Sequence, residues 1–242
     1  MLQFTTIGIS GKKYAGKDSI YAIISNYFGS DRVVKVAFAD ELKREVAEFL
    51  ATNNPQSAKN KFQEWTGLTN DQISDIFGDV YEDSEEFGYD GNKVDWDFRK
   101  HQDYDAQVTW LIQLFNIDRP EVKQRFRKIL QYWGTEYRRK QDDQYWLKAW
   151  KRKTENLADS IEVVCVPDCR FPNEYEFLLN LGAFVFRVER PALNSNADSH
   201  ISENALDNVD YWDAVFTNDT LEQLKEDVED ALNLHGVLED AA

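Results

Sequence analysis

Cysteine, histidine, long apolar runs and positive charge are all scarce in this chain of 242 residues, and each scarcity excludes something. The only two cysteines, Cys165 and Cys169, flank a Pro-Asp pair at the end of a predicted strand. That placement fits one buried thiol and one loop thiol rather than a disulfide. The three histidines, His101, His200 and His235, are scattered without metal-ligand spacing, which argues against a zinc enzyme. The longest apolar runs, such as VVCV at 163–166, are strand-sized and fall far short of the roughly 20 residues a membrane span requires. The N-terminal MLQFTTIGIS has no basic region followed by a long apolar one, so no signal peptide is expected. A soluble, cytoplasmic protein with no membrane association is the expectation.

Lys and Arg number 28 against 44 Asp and Glu, a net charge of −16. Such a surface argues against stable nucleic-acid binding, which needs cations. The charge is uneven: Arg119 to Lys153 holds twelve cations and four anions, a local +8, while 59–105 is acidic and includes EDSEE at 82–86. The acidic stretch reads as a solvated lobe; the basic one reads as a solvated helix face or the seat of a polyanionic ligand. What is abundant is core material. With 42% hydrophobic residues, seven Trp, eleven Tyr and fifteen Phe, the chain can bury a full core without metals or disulfides.

Five β-rich runs are predicted, at Phe4–Ile9, Val33–Phe38, Ile161–Pro167, Ala183–Val188 and Ala214–Thr217. Helix-length segments separate them, which implies right-handed crossovers and an α/β fold: about five parallel strands with helices on both faces. IEVVCVP is apolar at nearly every position, as strands covered on both sides are. Between the second and third runs lie some 120 mostly helical residues. Asp40–Leu50 puts Leu42, Val46, Phe49 and Leu50 on one face, and Val122–Tyr132 and Tyr145–Lys153 show similar spacing. An inserted helical and acidic lobe is expected at about 51–118. Its Gly/Asp-rich middle, about 79–105, reads as a lobe or lid over the site. Leu221–Leu234 has a strong helical period and closes the fold.

Directly after the first strand stands Gly11-Lys12-Lys13-Tyr14-Ala15-Gly16-Lys17-Asp18-Ser19, followed by the helix-like IYAIISNYF. G-x-x-x-x-G-K between a strand and a helix is a phosphate-binding loop: glycines let successive backbone N–H groups turn inward, the helix terminus adds partial positive charge, and the lysine reaches the β and γ phosphates. Asp18 stands where a Ser or Thr usually ligates magnesium. Three arrangements are open. Ser19 takes that role, Asp18 touches the ion through water, or ATP and another carboxylate hold it.

This loop, AFAD-x-LK at 37–43, LQYWGTEYRR at 130–139, DCRFPNE at 168–174, RVERP at 187–191, H-x-SE at 200–203 and FTND at 216–219 together resemble the bacteriophage deoxynucleoside monophosphate kinases. These P-loop kinases are distantly similar to phosphomevalonate and dephospho-coenzyme A kinases. The matches run in order over nearly the whole chain, and Asp after the loop lysine is common in the family. The resemblance implies one P-loop kinase domain over 1–242 that uses ATP and Mg²⁺ and moves the γ-phosphoryl group to the 5′-phosphate of a deoxynucleotide. It leaves a homodimer open.

The acceptor phosphate is already anionic, so the chemistry asks for alignment and cations rather than a strong base. Candidate cations are Lys17, Arg138, Arg139, Arg170, Arg187 and Arg190, with Arg138 and Arg170 foremost because each follows a signal that places it near the carboxyl edge of the sheet. Asp168 ends the third run, as a magnesium-holding acid would, or caps the turn that follows. Asp40 and Lys43 fall in the segment that the resemblance places at the acceptor; Asp40 alternatively caps the helix over 41–50. Thr135 and Trp133 lie beside the arginines. Of Tyr132, Trp133 and Tyr137, two are expected in the core and one against a base. The resemblance further assigns Asn173, Glu174, His200, Ser202 and Glu203 to the substrate side and Asn218 to the adenine pocket, with a helix cap as the alternative for Ser202. Two other readings stay open: a P-loop kinase with a non-nucleotide acceptor, and an acidic, non-catalytic binding protein that mimics DNA.

Overall fold

The computed structural model describes residues 4–78, 80, 103–117, 120–191 and 201–237, with the side chains of 120–123 left aside. His200 and almost all of the acidic 79–105 segment lie outside the described residues. The chain forms two compact units, Met1–Phe38 with Trp146–Ala242, and Ala39–Tyr145.

The first unit is built on β1 (Thr5–Ser10), β2 (Val33–Lys35), β3 (Val163–Val166), β4 (Phe184–Glu189) and β5 (Ala214–Thr217). They form one sheet in the order β2-β3-β1-β4-β5, every neighbouring pair parallel. The expected five-stranded parallel α/β fold is therefore present. Ile7 sits between Cys165 and Phe184 in register, so the central strand has ladder partners on both edges. Alternation along β1 divides its side chains between two layers. Ile7 and Ile9 pack with Ile20 and Ile24 of α1 (Lys17–Phe28) and with Leu224 and Val228 of α10 (Leu221–Leu234). Gly8 turns toward α8 (Pro172–Asn180), where a Cβ would come within 2.6 Å of the Leu178 methyl, so close packing there requires glycine.

Strand ends depart from the sequence expectation for identifiable reasons. The run expected over Val33–Phe38 keeps strand form only to Lys35. Val36 still donates its N–H to Cys165 O at 2.9 Å, but Val36 O accepts from the Trp150 indole at 2.9 Å. Phe38 N–H then goes to Asp168 Oδ1, also at 2.9 Å. Side chains thus take over the backbone groups that a ladder would have used. Cys169 lies in the loop after β3, as expected, but is buried like Cys165, and both thiols are free.

The second unit is helical: α2 (Ala39–Thr52), α3 (Pro55–Thr66), α4 (Asn70–Phe77), α5 (Tyr104–Asn116), α6 (Pro120–Gln131) and a π-helical segment, Tyr132–Arg139. Its helix starts carry recognisable caps. Asn54 precedes Pro55, Thr69 and Gln72 form a reciprocal capping box, and Asp103 accepts from Ala106 N–H at 2.7 Å. Phe49, Phe62, Phe77 and Trp133 form its aromatic core, with Phe62 and Trp133 stacked at 5.8 Å. In the first unit α7 (Tyr145–Thr154) continues from Trp146, and α9 (Ile201–Asn204) is a short helix after β4. Among the described residues, no helix is long and apolar enough to cross a membrane.

Candidate active site

The Gly11–Ser19 loop joins β1 to α1 and depends on its two glycines. Gly11 has φ +143°, and a Cβ there would lie 2.4 Å from Val188 O. Gly16, at φ +116°, would place a Cβ 2.3 Å from Asn218 Nδ2. That amide is not idle: it donates to Ala15 O at 2.8 Å, so Asn218, just past β5, braces the loop from behind. Tyr14 adopts φ +63° without being glycine, a conformation L residues rarely take. The Lys13 ammonium lies 4.7 Å over its ring. Gly16 gives α1 no side-chain cap, and the start of a helix carries partial positive charge that favours an anion.

Lys17 opens α1 and folds back over the loop, its ammonium donating to Gly11 O at 2.6 Å and Lys12 O at 2.7 Å. Burial, and after it the charge of Arg170, lowers its pKa to about 7, with Glu203, Asp18 and Asp168 acting in the opposite direction. Glu203 is buried on α9. It accepts the Lys13 N–H at 2.8 Å and pairs with the Arg170 guanidinium. Burial pushes its carboxyl up, but Arg170, the Lys13 N–H and Lys17 together hold it below the usual carboxylate range. Arg170 remains a cation: burial works against its charge, but Glu203, with Asp168 and Glu174, outweighs that cost and raises its pKa. A loop lysine, an arginine, Asp168 and Glu203 thus surround one end of the sheet.

The remaining candidates of this unit divide. Glu174 is buried, and Oε2 accepts from the Arg170 and Phe171 N–H groups at 2.7 and 3.0 Å, so it caps the start of α8, in whose first turn Asn173 also lies. Arg187 is bound to Glu189, Asp207 and Leu206 O and lies under the Trp212 ring; it lines a cavity together with Gly11, Lys12, Arg170 and Glu203. Asp18 points outward and pairs with Lys35 at 2.6 Å. Lys12 pairs with Asp207 at 3.2 Å. Ser19 is half-buried in the first turn of α1, and Arg190 is exposed just beyond β4. Ser202 lies inside α9 rather than at its cap. Among the described residues, no group of three or more His, Cys, Asp or Glu side chains is placed to hold a metal ion.

In the second unit Asp40 lies inside α2, not at its cap, because the helix begins one residue earlier at Ala39. Lys43 donates to Asn116 Oδ1 at 2.6 Å. Thr135, Arg138 and Arg139 belong to the π-helical segment, and all three are half-buried. Trp133 is only 3% exposed and its indole N–H is spent on Glu45, so it is core and not a face for a base. Tyr137 is partly exposed and lies parallel to Trp65, their centroids 6.3 Å apart. Glu45 was not among the sequence candidates, yet Arg138, Trp133 and Tyr145 all donate to it. A signal was present: Leu42, Glu45, Val46 and Phe49 fall at helical spacing, which puts an acid on an apolar face.

Five parallel strands flanked by helices, with a glycine loop entering the first helix, are the fold of a P-loop kinase. The deoxynucleotide monophosphate kinase family model matches residues 5–228, and the chain belongs to that family. A relative from Acanthamoeba polyphaga mimivirus, provisionally named a deoxynucleotide monophosphate kinase, is 30% identical over 109 residues. The alignment covers 40% of this chain and 55% of the relative, so the chain spans about half the length of the relative it matches.

Proposed function

We propose that this phosphotransferase moves the γ-phosphoryl group of ATP to the 5′-phosphate of a deoxynucleoside monophosphate, yielding ADP and the deoxynucleoside diphosphate, the precursor of the triphosphate that DNA synthesis consumes. The observation that carries the reading is the loop itself: two glycines at positive φ, uncapped N–H groups of α1, and Lys17 folded over them. Those groups are complementary to a triphosphate and to little else.

Each role follows from charge and position. Residues Gly11 to Ser19 hold the β and γ phosphates through backbone N–H groups, and Lys17 neutralises charge as the bond from the γ phosphorus to the ADP oxygen lengthens. Arg170 lies close enough to lower the pKa of Lys17, and it is our second cation for the transferring group. Glu203 orients Arg170 and anchors the loop at Lys13. Asn218 supports the loop, and Arg190, exposed just beyond β4, is assigned to the nucleotide. Ser19 and Asp168 would offer oxygen donors to Mg²⁺, and the ion would add positive charge against the phosphate oxygens of ATP. Asp40, Lys43, Thr135, Arg138 and Arg139 are assigned to the acceptor, with Arg138 on its 5′-phosphate. An acceptor oxygen attacks the γ phosphorus in line. It is already ionised near neutral pH, so no side chain has to remove a proton.

The test is a coupled ADP-release assay with Mg-ATP against each deoxynucleoside and ribonucleoside monophosphate, with Lys17→Ala alongside. Turnover of one or more deoxynucleotides that falls at least about 10²-fold in the variant is expected for loss of a transition-state phosphate contact. A folded, ATP-binding protein that turns over none of them refutes the reading.

A further inference from the structure

Arg138 is held in an unusual way. Its Nε donates to Glu45 Oε2 at 2.9 Å, and its guanidinium carbon lies 4.9 Å from the Tyr145 ring centroid, 5.2 Å from that of Tyr137 and 6.0 Å from that of Trp133. Among the described residues its two terminal nitrogens, the fork suited to bidentate phosphate contact, make no hydrogen bond. The arginine is gripped at its stem, while none of the described residues takes a hydrogen bond from its tip.

Glu45 is the grip. It lies buried on α2 and its two oxygens are shared out. Oε2 also accepts the Trp133 indole N–H at 2.8 Å, and Oε1 accepts the Tyr145 hydroxyl. Burial and the bond to Glu45 push the Tyr145 hydroxyl up to about 12, so it remains a donor throughout the physiological range. A buried carboxylate with one cationic partner and two neutral donors is fixed in place, and it fixes the cation in turn. The π-helical backbone from Tyr132 to Arg139 supplies both Trp133 and Arg138 to that carboxylate, and π segments of this kind recur at functional sites.

We infer that Glu45, together with Tyr145 and Trp133, is a positioning residue that pre-orients the Arg138 fork toward the phosphate of the acceptor nucleotide. This rests on the assignment of Arg138 to the acceptor made above. A structural ion pair would equally keep Glu45 buried, but it would not tie Glu45 to acceptor kinetics through Arg138.

A double-mutant cycle in the full chain separates these possibilities. Arg138→Ala is expected to lower kcat/KM for the deoxynucleotide by about 10²-fold or more, as losing one transition-state donor does. Glu45→Gln, which keeps the shape and removes the charge, is expected to lower the same parameter by about 10- to 10²-fold through misplacement, with KM for ATP unchanged. In the Arg138→Ala background, Glu45→Gln is expected to cost nothing further. Independent, multiplying losses overturn the positioning role while leaving the Arg138 assignment intact. An Arg138→Ala enzyme with unchanged acceptor kinetics overturns the assignment and the inference with it. Should Glu45→Gln fail to fold by circular dichroism, Tyr145→Phe takes its place in the cycle under the same criteria.

Discussion

Replacing Gly16 with alanine tests how the loop is held. The added Cβ meets two obstacles, a φ of +116° and the Asn218 amide at 2.3 Å. The left-handed backbone costs a residue with a Cβ roughly 1–2 kcal/mol. The amide can move away, but only by giving up its 2.8 Å bond to Ala15 O, worth about 1 kcal/mol. The sum, about 2–3 kcal/mol, falls on the loop conformation that binds phosphates, and at 1.4 kcal/mol per decade it weakens ATP binding about 30- to 150-fold. Asn218→Ala alone removes the brace and is expected to cost about 1 kcal/mol, or roughly fivefold. In the double variant the clash is gone and the brace is already lost, so only the backbone strain of Gly16→Ala remains, roughly 5- to 30-fold beyond Asn218→Ala. Titration calorimetry with ATP on all four proteins reads these numbers. Unchanged affinity in Gly16→Ala, or losses that multiply in the double variant, would refute the account.

Three further outcomes follow from the same geometry. Gly11→Ala drives a Cβ against the Val188 carbonyl, which cannot rotate away as an amide side chain can, so its melting temperature should fall below that of Gly16→Ala by differential scanning calorimetry. Arg187→Ala should destabilise the fold by about 1 kcal/mol in urea, since it takes a donor from the Leu206 carbonyl and a partner from Glu189 and Asp207. Glu203 has a folded pKa held below its ordinary 4.5, so its ionisation adds stability that is complete above that value and disappears as pH falls through the lowered one. Glu203→Gln should therefore flatten the acid limb of the melting temperature as pH falls below the ordinary carboxylate value; an unchanged limb would contradict the Arg170 pairing.

Most of the sheet was legible because its strands announce themselves: Val163–Val166 is buried at every residue, and the run at Ala214–Thr217 and the helix at Leu221–Leu234 have the same bounds in sequence and structure. The glycine loop was legible for a related reason, since its conformation demands specific residues at fixed spacing. Strand ends were not, because the fate of Val36–Phe38 depends on Trp150 and Asp168, more than a hundred residues away. The π-helical backbone at Tyr132–Arg139 leaves no distinct periodic trace, so WGTEYRR showed its arginines but not how one of them is held. Position alone put Arg170 ahead of Arg187 in the sequence, but neither the Glu203 pairing of the one nor the Glu189 and Asp207 pairings of the other was visible there. Glu45 escaped notice because the face traced over 40–50 follows only its apolar residues, Leu42, Val46, Phe49 and Leu50, although its spacing puts it beside them.

The central claim is that a phosphoryl group passes from ATP to a nucleotide phosphate, and phosphorus NMR of one reaction mixture tests it most directly. With Mg-ATP and a deoxynucleoside monophosphate, the account predicts that ADP and the deoxynucleoside diphosphate grow together in equal amounts, with a new β-phosphate resonance on the acceptor. Inorganic phosphate accumulating with ADP while the acceptor spectrum stays unchanged would contradict it.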